Sequence, residues 1–218
     1  MGSLGHFIET GGAAMKVNMM FLAAAVAVII DRVIALYFKY NLNGARFMAQ
    51  VEKLVVSDNI EKAVKLCNAA PKAALARVLR AGLTRANRGV LEIGNAIEEE
   101  SLAVTPLIMN RVAALWSIAN TAVLVGLFGT IVGLIKAFQA VGMAAPEQKT
   151  ELLTKGVSEA MYNTAAGLSI AIVCITAHLF ISSQARGLIE EIELHSLKLE
   201  NMLGRRAVAE IPGANPEK

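Results

Sequence analysis

Residues 112–135 read VAALWSIANTAVLVGLFGTIVGLI, 24 positions without a charged side chain between Arg111 and Lys136. A helix needs roughly 20 mostly apolar residues to cross a bilayer, because lipid offers no partner to an exposed backbone amide or carbonyl. This stretch meets that length by itself. So does a second, since 26 uncharged residues separate Glu159 from Arg186. A third block, between Lys16 and Asp31, has 14 uncharged residues and resumes as Val33–Phe38 beyond the Asp31–Arg32 pair. It spans if that pair sits at the headgroup level, where an arginine stem lies along lipid and its head reaches water.

The rest of the chain is read outward from these blocks. Of 218 residues, 55% are apolar and only 18% charged. A typical soluble domain carries about 25% charged residues. This balance excludes a disordered chain, a disulfide scaffold and an ordinary soluble enzyme. The expected fold is all-α, a polytopic membrane protein with three transmembrane helices and a helical cytoplasmic domain. The expected layout is an extracytoplasmic N-terminus over 1–16, then a first span over 17–38. A cytoplasmic helical loop follows over 39–115 and a second span over 116–138. A short extracytoplasmic connection covers 139–156, a third span 157–182, and a cytoplasmic C-terminal helix and tail 183–218.

Lys and Arg asymmetry sets the orientation. The loop carries eleven and the tail five, against Lys16, Lys136, Lys149 and Lys155 on the other side. Sixteen against four places loop and tail in the cytoplasm and the N-terminus outside. No basic stretch precedes the first block, as a cleaved signal would want. Cys67 in the loop and Cys174 in the third span imply no disulfide. The loop series Arg77, Arg80, Arg85, Arg88 fits a solvated helix face near anionic headgroups, and nothing in the chain supports nucleic-acid binding.

Within the loop, apolar spacing predicts a helix over 45–56. A second starts at Asp58 as N-cap, with Glu61 three residues on, and runs to about Ala70. A third covers about 72–87. A long helix then begins near Leu91, is kinked or interrupted at Pro106, and feeds straight into the second span. The tail should form its own helix over about 186–203, with Ile189, Ile192, Leu199 and Leu203 near one stripe.

The chemistry inside the spans is sparse. Gly126, Gly129 and Gly133 give the second span a small-residue face, and Gly156, Ala160, Thr164, Gly167 and Ala171 give one to the third. Small residues let helix backbones approach closely in lipid. Polar positions include Asn120, Thr121 and Thr130, then Ser158, Glu159, Asn163, Thr164, Ser169, Thr176 and His178. Hydroxyls of this kind commonly bond to their own helix. Glu159 is different, since a carboxylate within a span is a functional candidate. It lies near the outer helix end, however, where the interface could solvate it. His6, His178 and His195 have no partners at ligand spacing, so no metal or cofactor is expected. No nucleophile arrangement or phosphate-binding loop is present, so no enzyme activity is expected. The alternatives to an ion pathway are a passive membrane scaffold for a multi-subunit complex and a solute transporter. The second would favour broken helices and internal repeats.

Val125–Gly133 and the run Gly156-Val157-Ser158-Glu159-Ala160-Met161-Tyr162-Asn163-Thr164-Ala165-Ala166-Gly167-Leu168 resemble the paired signatures of the ExbB/TolQ/MotA proton-channel family. Those signatures read roughly G-L-L-G-T-V-x-G and G-I-x-E-A-L-x-x-T-A-x-G-L. Gly11-Gly12-x-x-Met15 and the membrane-interface pair Asp31–Arg32 resemble the ExbB/TolQ branch. Where that family commonly has Ala-Pro before the first signature, this chain has Ala122-Val123.

The resemblance implies a homopentamer around a dimer of an ExbD/TolR-like single-span subunit that carries a membrane Asp. It implies that Thr130, Thr164 and Glu159 line the proton pathway, with Gly126, Gly129, Gly133, Ala160 and Gly167 packing the helices. The activity it implies is that of a stator subunit in a motor driven by the proton-motive force in a bacterial inner membrane. Such motors energise outer-membrane transport, envelope maintenance or gliding, the first through a TonB-like or other envelope-spanning protein. The chain itself has no carboxylate in the middle of a span. A relay built from it alone is incomplete.

Overall fold

The structure, a computed structural model, describes residues 12–40 and 43–209. The expected N-terminal segment 1–16, Gly11 of the N-terminal motif and the end of the 183–218 tail therefore fall partly or wholly outside the described residues. Among the described residues seven α-helices run in order: α1 (Gly12–Ile34), α2 (Gly44–Val56), α3 (Ile60–Ala69), α4 (Ala74–Thr84), α5 (Val90–Met109), α6 (Val112–Met143) and α7 (Lys149–Ala209). A π-helical segment, Ala35–Tyr40, follows α1. No strand occurs among the described residues. Three of the described stretches are long and apolar enough to cross a membrane, within Ala13–Ile34, Val90–Met143 and Lys149–Arg206. The protein is an all-α, polytopic membrane protein.

The chain divides into two units. One comprises α1 as far as Arg32 with Arg111–Ile181; the other comprises Val33–Asn110 with the part of α7 from Ser182 onward. In the first, α1 buries Met15, Asn18, Ala25 and Arg32, a single stripe at steps of three and seven residues. Ala25 packs into a cluster with Ala119 and Ala122 of α6 and Ile170, Ala171 and Cys174 of α7. Large side chains point away from that cluster: Leu124, Phe128, Ile131 and Phe138 on α6 and Ile172, Leu179 and Phe180 on α7 are exposed. Small residues inside and large apolar ones outside is the pattern of spans that meet in lipid.

The second unit is an amphipathic assembly. α4 packs chiefly on α5 and α3, and α3 on α2. Leu75, Val78, Leu79 and Leu83 of α4, Ile93 and Ile97 of α5, and Leu199 and Leu203 of α7 are buried. A Cβ on Gly82 would meet both the Ile97 side chain at 2.8 Å and that of Leu199 at 3.4 Å, so three helices converge at this glycine. The Arg77 guanidinium donates to Glu100 at 2.6 Å and ties α4 to α5.

Three local expectations change. Asp58 is not an N-cap. It adopts a left-handed conformation, φ 57°, and its amide donates to the Val55 carbonyl while that of Asn59 donates to Leu54. That pair of bonds closes the end of α2 as a Schellman turn. It leaves the Asp58 carboxylate to pair with Arg206 of α7.

The second change is at the start of α6. α5 passes Pro106 and ends at Met109, and Arg111 takes a left-handed conformation, φ 60° and ψ −4°, before α6 begins. The long helix thus stops at Asn110 and Arg111. The third change is in α7, which is unbroken from Lys149 to Ala209, so the tail helix is a continuation of the third span. No proline or left-handed residue interrupts it.

Candidate functional site: the seam between α6 and α7

The seam is built from side chains too small to hold the helices apart. A Cβ on Gly126 would stand 2.8 Å from the Asn163 carbonyl oxygen and 3.3 Å from the Gly167 Cα. One on Gly167 would stand 2.5 Å from the Ala122 carbonyl oxygen. Neither position has room for a larger residue unless the backbones separate. Further along, Gly133 lies against Ala160, and Gly156 against Ala137. Gly129 is a second place where all three helices meet, between Ala14 of α1 and Asn163 of α7.

Polar groups line this seam at successive turns. The half-buried Thr164 hydroxyl donates across it to the Gly126 carbonyl at 3.4 Å. Thr130, one turn beyond Gly126, donates to the Leu127 carbonyl of its own helix at 2.6 Å. Glu159 lies five residues before Thr164, at the level where Ala160 faces Gly133. It lines a cavity of about 350 Å³ together with Lys136, Asn163, Gly129 and Ala14. The two threonines therefore occupy neighbouring turns of the seam, and Glu159 lies toward the α6–α7 connection. Hydroxyls and main-chain carbonyls along such a path can hydrogen-bond water or a proton carrier. Among them, Glu159 alone carries a carboxylate.

The other end of the unit is held by charge. The Asp31 carboxylate accepts from Arg32 at 2.7 Å and from Arg111 at 3.2 Å. The expected interface pair is thus a three-residue cluster, and it ties the end of α1 to the start of α6. Arg111 stands at the edge of an uncharged block, and no spacing rule announced its part. Nearby, His178 Nδ1 donates to the Val112 carbonyl at 3.0 Å, with its ring 6.0 Å from that of Trp116. That bond gives His178 a structural role and fixes its tautomer.

Two amides complete the description. Asn18 is fully buried, and among the described residues neither of its amide atoms meets a hydrogen-bond partner. Asn163 is 5% exposed; its Nδ2 donates to the Glu159 main-chain oxygen at 3.5 Å, and its Oδ1 meets none. Asn163 is visible in the sequence as a polar residue of the third span. Asn18 is a lone amide in the first apolar block, and only its burial distinguishes it.

Known proteins are similar to this chain in sequence. An ExbB-like biopolymer transport protein of Synechocystis is 29% identical over 168 residues, covering 76% of this chain and 78% of that one. The Tol-Pal system protein TolQ of Haemophilus influenzae is 29% identical over 103 residues, 47% of this chain and 45% of TolQ. A biopolymer transport protein of the ExbB type from Vibrio cholerae is 35% identical over 79 residues, 36% of this chain and 34% of that one. The last two matches span less than half of each relative. Residues 70–194 match the family model described as the MotA/TolQ/ExbB proton channel family, which takes in α6, the seam and most of α7. The chain belongs to the MotA/TolQ/ExbB proton channel family.

Proposed function

We propose that this chain is the proton-channel, or stator, subunit of an inner-membrane motor driven by the proton-motive force. The single observation that carries the reading is the seam itself. Thr164 and Thr130 lie on neighbouring turns of two closely packed helices whose uncharged runs, 112–135 and 160–185, hold no carboxylate. Moving one charge across the membrane yields about 2.3 kcal/mol per 100 mV. Capturing that energy needs a protonatable group within the span. Asp31 is engaged by two arginines, and Glu159 lies toward one end.

The missing acid comes from a partner with one membrane helix and a membrane Asp, of the ExbD/TolR type. Five copies of this chain surround two of that partner, with Thr130 and Thr164 facing its Asp and Glu159 serving the pathway. The N-terminus is periplasmic and the loop and tail are cytoplasmic, as sixteen basic residues against four require. The motor powers outer-membrane transport, envelope maintenance or gliding.

Co-expression with the single-span protein encoded beside it tests this. Thr130→Ala combined with Thr164→Ala is expected to abolish proton-dependent work while the complex still assembles. Undiminished work would remove the pathway from this seam. A passive scaffold, by contrast, would lose no more than the packing cost of the two substitutions.

A further inference from the structure

Lipid solvates a charge poorly, so a charged side chain at the edge of a span pairs with another group or reaches the headgroups. Lys136 and Glu159 carry opposite charges and line one cavity of about 350 Å³ between α1, α6 and α7. Among the described residues neither of them is in an ion pair. Glu159 is half-buried and Lys136 is exposed. The two stand at one level, because Gly156 lies against Ala137 and Ala160 against Gly133. That level is the edge of the apolar layer: Lys136 closes the uncharged run 112–135, and Glu159 directly precedes the run 160–185.

Away from these two charges the wall is mostly apolar. Val17 of α1 and Val125, Phe128 and Val132 of α6 line it, and Val17 and Phe128 are themselves exposed, so the cavity is open along that side. From Lys136 to Val125 it follows α6 for eleven residue steps, about 16 Å at a rise of about 1.5 Å per residue. One leaflet of the hydrocarbon core is about 15 Å thick, half of the usual 30 Å. The slot therefore has the length of one acyl chain and carries both signs of charge at its headgroup end.

We propose that this cavity holds a phospholipid whose headgroup carries a primary ammonium, as that of phosphatidylethanolamine does. The Lys136 ammonium donates to the lipid phosphate, and the Glu159 carboxylate accepts from the lipid ammonium, both as charge-assisted hydrogen bonds. One acyl chain lies along Val132, Phe128 and Val125. Charge complementarity selects this occupant. An anionic headgroup without a cation leaves Glu159 unmatched, and a trimethylated ammonium has no N–H to donate. The lipid fastens α1 to the seam at the level where Ala14 meets Gly129, since both also line the cavity. The site does not rest on the proton reading of the seam, because lipid retention is measured without any proton-dependent work.

The test is native mass spectrometry of the assembled, full-length protein, purified in detergent and mixed with equal amounts of phosphatidylethanolamine, phosphatidylcholine and phosphatidylglycerol of matched chains. The wild type is expected to retain the first several-fold more than either of the others. Glu159→Gln should bring it down to the level of phosphatidylcholine, and Lys136→Gln should lower retention of all three. Lys155→Gln removes a charge at the same end of α7 but outside the cavity wall, and should leave the preference intact. Equal retention of the three lipids by the wild type overturns the proposal. So does a preference that survives Glu159→Gln, retention untouched by Lys136→Gln, or a preference lost in Lys155→Gln as well. A density map of the unaltered protein in lipid discs containing phosphatidylethanolamine supplies a second measurement that needs no variant. Density for a phospholipid with its headgroup between Lys136 and Glu159 supports the site. Protein in the cavity, from residues 1–11 of this chain or from a second copy, overturns it, and so does an empty cavity.

Discussion

Thr164 donates its hydroxyl to the main-chain carbonyl of Gly126 at 3.4 Å, across two helices that the Gly126–Gly167 contact brings together. The glycines put this hydroxyl in reach of the neighbouring backbone, so packing and polar chemistry depend on the same seam. Thr164→Val keeps the shape and removes the donor. Its cost in stability should stay near 1 kcal/mol, the net worth of one such bond. Proton-dependent work of the co-expressed complex should fall by more than a factor of about ten, equivalent to roughly 1.4 kcal/mol on a barrier. Thr164→Ser should recover most of it. Equal activity of the Val and Ser variants would separate the hydroxyl from function.

The glycines separate into two groups by what surrounds them. Gly126→Val or Gly167→Val drives new atoms into backbone on the facing helix and should destabilise the purified protein by about 1–3 kcal/mol, as overpacking does. Gly187 has nothing within 4 Å of its would-be Cβ. Gly187→Ala in the interior of α7 should stabilise by about 0.5–1 kcal/mol. Thermal melting in detergent of the three variants side by side gives the contrast, and equal shifts would sink the seam as the controlling contact.

Asp31 collects Arg32 and Arg111, and the Arg32 side chain is only 7% exposed. Asp31→Asn retains hydrogen-bonding capacity but removes the charge between two guanidiniums. Since Asp31 is 42% exposed, screening limits the cost to about 1 kcal/mol. The loss should be larger at low salt than at high salt. Melting curves of both proteins across a salt series check the sign.

His195 is buried in the second unit, and that burial holds its imidazole below the ordinary value of 6.5; Glu191 opposes the effect and Lys198 adds to it. The unfolded chain therefore binds the proton first as pH falls. Stability from the neutral ring is complete above about pH 6.5 and declines as pH drops from the unfolded value toward the folded one. Wild-type melting temperature should fall between pH 7.5 and 5.5 more steeply than that of His195→Gln. Parallel profiles would remove His195 from the acid response.

Cys67 is 1% exposed, and burial pushes its thiol up to about 11, with Arg80 pulling the other way. The thiolate is the reactive form. Maleimide labelling of Cys67 at pH 7.5 should be slow in the folded protein and fast once denaturant opens α3. Rapid labelling of the native protein would contradict this burial.

Much of this protein is written in local pattern. Long uncharged runs can only be satisfied as helices in lipid, so the three apolar blocks and the all-α class are legible without coordinates. The residues 126, 129, 133, 160 and 167 stand out because small side chains at spacings of three, four and seven lie on one helix face. The turns were harder. Asp58 followed by Glu61 has the spacing of an N-cap, yet Asp58 closes the preceding helix instead. The same side chain suits either role, and what sets the role here is the backbone closure of α2, with Arg206 of α7 placed to take the carboxylate.

The sequence by itself determined which segments are apolar, which face of each helix is small, and on which side the basic residues gather. These are properties of composition and helical period, fixed residue by residue. Only the tertiary structure decided that Arg111 breaks the run from α5 to α6, and that Asp31 joins it to Arg32. It alone placed Thr164 on the Gly126 carbonyl and buried Asn18 completely. Those outcomes depend on the register of one helix against another. Register is fixed by contacts between residues far apart in the chain, and no local pattern encodes it.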